Sequence, residues 1–117
     1  MEKVKKFFNR EQNLLVHICI SILVIIFGFI FSISYTQWLI VMFLIAFVIT
    51  SELINSAIEL TVDLYTTKFH PLAMVAKDTA AAAVVISAFT AAIIGLYIFV
   101  PKFIAILKYF LYQELFF

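Results

Sequence analysis

The sequence predicts an all-α polytopic membrane protein with three transmembrane helices, a short N-terminal amphipathic segment and a C-terminal apolar tail helix. Three observations predict it. The chain has 117 residues, of which 66% are hydrophobic and 13% charged, against roughly 45–50% apolar content in an ordinary soluble domain. No Asp, Glu, Lys or Arg stands between Glu11 and Glu52, a gap about twice the roughly 20 residues that one helix needs to cross a bilayer. A further charge-free run extends from Thr79 to Pro101.

The elements follow from these gaps. Residues 1–12 carry Lys3, Lys5, Lys6 and Arg10 among apolar side chains, the pattern of a basic amphipathic segment at a membrane surface. The first span is placed at 13–32. The long gap breaks at "SISYTQW", Ser32 to Trp38, polar and aromatic as at a membrane interface. The second span is placed at 37–65, about 40 Å of helix. A loop is expected at 66–78 and the third span at 79–100. The tail, 101–117, is apolar but holds Lys102, Lys108 and Glu114. It is short for a span and suits a helix at the outer interface; a fourth span is the other reading. Tyr35 and Trp38 read as an aromatic belt. The first apolar run is too long for a signal peptide, and more spans follow it. No repeat or linker divides the chain, so one membrane domain, 1–117, is expected.

Orientation comes from the basic residues. They occur ahead of the first span and, as Lys68 and Lys77, after the second, and are absent between the first two spans. The positive-inside rule then puts the N-terminus in the cytoplasm. A net charge of +1 gives no reason to expect nucleic acid as a partner. Cys19 has no second cysteine to pair with, so there is no disulfide framework.

The chemistry lies in "SELINSAIELTVD", Ser51 to Asp63. Glu52, Asn55, Glu59 and Asp63 are spaced three, four and four residues apart, so they share one face of a helix. Ionisable residues inside a span are functional candidates by default. Asp63 and Glu59 can also be read as simply interfacial, but Glu52 lies too deep for that. Carboxylates near a membrane surface suit Mg²⁺, which takes one or two of them together with phosphate oxygens. Glu11 falls at the same level on the first span. Lys77 offers a point charge for phosphate, and Asp78 a helix N-cap. The chain has two glycines and no glycine-rich nucleotide loop. His17 reads as a packed or interhelix hydrogen-bonding residue rather than a ligand. His70 precedes Pro71 and reads equally as a helix-breaking turn or a ligand contact.

"ELINSAIELTVD", followed by "FHPLAMVAKDTAAAAV", resembles the small bacterial membrane lipid kinases, the prokaryotic diacylglycerol kinase and undecaprenol kinase family. The resemblance covers about Glu11 to Val100, and "FHPLA" leans toward the Gram-positive undecaprenol kinase branch. It implies a homotrimer of three-span chains in the bacterial plasma membrane, with active sites shared between protomers. ATP and Mg²⁺ are the implied co-substrate and cofactor, and a lipid alcohol, undecaprenol or diacylglycerol, the acceptor. The resemblance makes Glu52 the base that takes the lipid hydroxyl proton, and Glu11 and Glu59 the metal carboxylates. Asn55 would orient the site. Lys68, Phe69, His70, Lys77 and Asp78 would contact ATP along with Glu11 and Glu59, and Asp63 would support them.

One departure bears on activity. The family has a longer amphipathic segment ahead of Glu11, with an Arg that has no counterpart among the ten residues here; the basic cluster at Lys3 to Arg10 is the substitute at hand. A non-catalytic scaffold or accessory subunit is therefore the competing expectation. A transporter, with the carboxylate stripe as an ion or proton relay, is a third.

Overall fold

A computed structural model describes Glu2 and residues 11–117. The expected amphipathic segment, 1–12, lies outside the described residues except for Glu2, Glu11 and Gln12. All regular structure among the described residues is helical beyond them: α1 (Gln12–Ile30), α2 (Tyr35–Tyr65) and α3 (Pro71–Phe116). All three are long and apolar enough to cross a membrane.

The turn between α1 and α2 is built from two local signals. Ser32 adopts a left-handed φ of 51°. Around it the amide of Ile33 donates to Gly28 O at 3.2 Å and that of Ser32 to Phe29 O at 3.3 Å. This pair of bonds closes the end of α1 as a Schellman motif. Two residues on, Ser34 caps α2. Its Oγ accepts from the Gln37 amide at 3.2 Å, and its own amide donates to Gln37 Oε1 at 3.0 Å, a complete capping box. α2 therefore starts at Tyr35, earlier than the expected position 37.

The second connection is shorter than expected. Instead of a loop over 66–78, α3 begins at Pro71. His70 Nδ1 accepts from the Leu72 amide at 3.2 Å, and Pro71 occupies the first helical position, where its missing N–H costs nothing. The cap assigned to Asp78 is thus corrected: His70 caps the helix, and Asp78 lies within it. The tail is helical, as expected. It runs on from the third span through Pro101, making a helix of 46 residues, roughly 69 Å long. It accounts for the 68 Å length of the whole structure.

Two kinds of packing alternate along the bundle. Near the α1–α2 turn the core is apolar: Ile33, Val41 and Ile98, with Val24, Trp38 and Phe99 against them. Toward the other end it turns polar, with Glu11, Glu52, Asn55, Ser56 and Ser87 all buried. Ala80, Val84 and Ser87 form the buried face of α3, small enough to let α2 approach closely. Most of the large apolar side chains elsewhere are exposed, which suits lipid and neighbouring helices rather than water.

Trp38 is not merely an interfacial residue. Its ring stacks at a tilt on Phe29 at 4.8 Å and covers Gly28, where an added Cβ would lie 2.6 Å from the indole. Alanine at a helical glycine gains about 1 kcal/mol of propensity, whereas overpacking costs about 1–3 kcal/mol. The indole is held by Phe29, so overpacking should win. Gly28→Ala is expected to lower the melting midpoint in detergent, yet to raise it in a Trp38→Leu background. Equal shifts in both backgrounds would show that the Gly28–Trp38 contact is not what restricts this position.

Candidate functional site

One face of α2 carries the site. Val41, Leu44 and Val48 continue into Glu52 and Asn55 as a single buried stripe. The spacings of three and four residues keep it on one side of the helix. The apolar half packs, and the polar half begins at Glu52, only 2% exposed. Glu59 and Asp63 extend the stripe and are partly exposed. Leu53, Ile54 and Leu60 point away from it and are exposed.

α1 brings two more groups to this face. Glu11, 4% exposed, stands at the start of α1, and Ser56 Oγ donates to its Oε2 at 2.6 Å. Ser56 is 1% exposed and lies between Glu52 and Glu59 in sequence, so it fixes Glu11 at the level of the stripe. His17 Nε2 approaches Glu52 Oε2 at 3.8 Å, the interhelix placement expected of it. Asn55 Nδ2 reaches Glu59 Oε1 at 3.5 Å. The expected residues Glu11, Glu52, Asn55 and Glu59 are thus brought together, and Ser56 is the member that sequence reasoning missed.

Two buried acceptors in this cluster have no hydrogen-bond partner among the described residues: Glu11 Oε1 and Asn55 Oδ1. Leaving such a group unsatisfied costs about 1–3 kcal/mol, so the cluster is suited to a ligand that brings positive charge or donors. Among the described residues no three His, Cys, Asp or Glu side chains form a complete metal cage. Mg²⁺ does not need one, because one or two carboxylates with substrate phosphates suffice. The oxygen donors present fit such an ion.

The remaining expected residues other than Asp78 gather one level further along α2. Asp63, Lys68, Phe69, His70 and Lys77 line an open pocket of about 250 Å³. Lys77 Nζ donates to Asp63 Oδ1 at 2.6 Å, tying α3 to α2. Phe69 and Lys68 are exposed. His70 keeps its Nδ1 on the helix cap, which leaves Nε2 as the atom able to meet a ligand. Asp78 is exposed and does not line the pocket. Asp63 and Glu52 are roughly 16 Å apart along the helix axis, so the pocket and the buried acids form a polar track running from a bundle end into the apolar region.

The sequence that builds this track matches a known family. The family model for prokaryotic diacylglycerol kinase matches residues 1–99. The chain belongs to the prokaryotic diacylglycerol kinase family. This lipid kinase is 48% identical over 92 residues to an undecaprenol kinase of Bacillus subtilis (strain 168), covering 79% of this chain and 75% of that one. No solved structure matches the kinase. Membership makes it an enzyme of lipid metabolism, a phosphotransferase, and with its three apolar helices a multi-pass membrane protein. It also favours the enzyme over the non-catalytic scaffold.

Proposed function

We propose that the kinase transfers the γ-phosphate of ATP to the hydroxyl of undecaprenol, with Mg²⁺ as cofactor. The observation that carries this reading is the depth of Glu52. It is buried roughly 10 Å further along the helix from the bundle end than Glu59, with exposed apolar side chains on the adjoining faces of α2. A lipid alcohol arrives from the bilayer side and a nucleotide from the end, and the two meet between these acids. The 48% identity to an undecaprenol kinase favours undecaprenol over diacylglycerol.

In this reading Glu52 accepts the hydroxyl proton as the alcohol oxygen attacks the γ-phosphorus, and ADP leaves. Glu11 and Glu59 would hold a Mg²⁺ ion, which would supply positive charge against the phosphates. Ser56 orients Glu11, and Asn55 orients Glu59 and the acceptor. Lys77, steered by Asp63, faces the phosphates. Lys68, Phe69 and His70 meet the nucleotide in the open pocket, and Asp78 makes an outer contact. Positioning and electrostatics supply most of the rate enhancement in such a transfer. The end that carries this site faces the cytoplasm, where ATP is found, and so does the N-terminus. The assembly is a homotrimer, which would cover part of the exposed apolar surface.

The test is phosphorylation in mixed micelles with Mg²⁺ and labelled ATP, offering undecaprenol and diacylglycerol separately. Labelling of undecaprenol at the higher kcat/KM is expected. Preference for diacylglycerol would overturn the acceptor assignment, and labelling of neither lipid would overturn the reaction.

A further inference from the structure

The last part of α3 is not absorbed by the reaction. The family match ends at residue 99, and the helix continues to Phe116. Lys102 Nζ donates to Ser32 O at 3.4 Å, so Lys102 stands level with the turn that joins α1 to α2. Residues beyond it run roughly 22 Å past that turn. From Phe103 to Phe117 every residue except Gln113 is exposed.

This exposed segment has two unlike sides. At 100° per residue, Phe103, Ile104, Leu107, Phe110, Leu111 and Leu115 fall on one half of the helix. Lys102, Lys108, Tyr109, Tyr112 and Gln113 fall on the other, together with Ala105, Ile106 and Phe116. Glu114 is the one charge on the apolar half, in the last turn. A straight continuation would hold the apolar half in water, because residues 71–101 already supply about 45 Å of helix for a hydrocarbon core of about 30 Å. Soluble surfaces rarely expose apolar patches of that extent. Pro101 stands where the segment leaves the bundle. It has no amide hydrogen to give to Tyr97 O, so the helix breaks more readily there than elsewhere.

We infer that residues 102–117 are a membrane-surface anchor: α3 breaks at Pro101, and the segment lies along the headgroup–acyl boundary on the side of the α1–α2 turn. Its occupant is the lipid surface in which the bundle already sits. The Phe and Leu side enters the acyl region, while Lys108, Tyr109 and Tyr112 meet the headgroups, as Lys and Tyr do at interfaces. The inference is independent of the reaction assigned to the other end.

The chain holds a single cysteine, which makes the experiment direct. In a Cys19→Ser background, single cysteines at 103–116 are spin-labelled in the full kinase reconstituted into bilayers. Collision with oxygen and with a water-soluble nickel chelate is then measured, and lipid kinase activity of each variant reports that the bundle is folded. The oxygen-to-nickel ratio is expected to oscillate with a period of about 3.6 residues, with maxima at 103, 107, 110 and 111 and minima at 108, 109 and 112. The maxima should share one shallow depth. A depth that grows steadily from 103 to 116 would overturn the anchor in favour of a fourth span. High nickel contact at every position would overturn it in favour of a rod in water. Spin–spin broadening with low oxygen contact on the apolar side would overturn it in favour of a second copy as the occupant.

Discussion

Glu52→Gln is expected to lower kcat by roughly 10²–10⁴, the usual worth of a positioned general base, with little change in apparent affinity for Mg²⁺ and ATP. Glutamine keeps the volume and one acceptor oxygen of the side chain, replaces the other oxygen by an amide donor, and cannot accept the hydroxyl proton. Glu52 is the deepest acid of the track and is held against His17 of α1 at 3.8 Å, so the substitution touches the lipid side of the reaction. Because Glu11 and Glu59 are unchanged, the metal and the nucleotide should still bind. A fall in kcat at constant KM for ATP marks an interaction made in the transition state.

A structural role makes a different prediction. If Glu52 served only to join α1 to α2, the glutamine variant would melt earlier and lose activity in step with its folded fraction. Replacing a buried charge by a neutral isostere often leaves stability unchanged or raises it, so a normal melting midpoint with low turnover separates the two roles. Turnover, ATP affinity and melting in detergent are measured on one preparation. Near-normal kcat would remove Glu52 as the base.

The three spans and the acidic stripe were legible because each rests on local spacing. Charge-free gaps mark the spans, and the three-and-four spacing from Glu52 to Asp63 needs only helical periodicity. The start of α3 was misread for a physical reason. Lys68, Lys77 and Asp78 made 66–78 look like a solvated loop, although Pro71 followed by Leu72, Ala73 and Met74 has the composition of a helix start. The Ser34–Gln37 capping box was also present in the sequence, but it reads as interfacial polarity unless the Ser-x-x-Gln spacing is tested. Contacts between helices were harder to read. In an antiparallel hairpin the turn decides which residues stand opposite. A turn centred on Tyr35, the middle of the Ser32–Trp38 break, would put Glu11 across from Glu59. The observed turn, centred near Ile33, puts it across from Asn55 and Ser56, one helical turn away. A displacement of two residues therefore hid Ser56, whose bond to Glu11 sets the register of the site.

Glu11→Gln and Glu59→Gln are expected each to weaken Mg²⁺-dependent ATP binding by more than the roughly 10–100-fold that loss of a residue orienting a metal ligand costs, because each removes a ligand itself. The geometry makes Glu11 the better determined of the two. Its Oε2 is held by Ser56 and its Oε1 is buried without a partner among the described residues, so in the proposed site one oxygen is fixed and the other is available to the ion. Glu59 is partly exposed and reached by Asn55 at 3.5 Å, a looser hold. Ser56→Ala should therefore give a smaller loss than Glu11→Gln, within that roughly 10–100-fold range, since it frees the carboxylate without removing it. The measurements are nucleotide affinity titrated at several Mg²⁺ concentrations, with subunit mass in detergent as the check on assembly. Raising Mg²⁺ should partly restore ATP affinity in Ser56→Ala, where both carboxylates survive, and restore it less in Glu11→Gln. Wild-type affinity in both carboxylate variants would take Glu11 and Glu59 out of the metal site. Equal losses in Ser56→Ala and Glu11→Gln, unmoved by Mg²⁺, would show instead that the Ser56–Glu11 bond only holds α1 against α2.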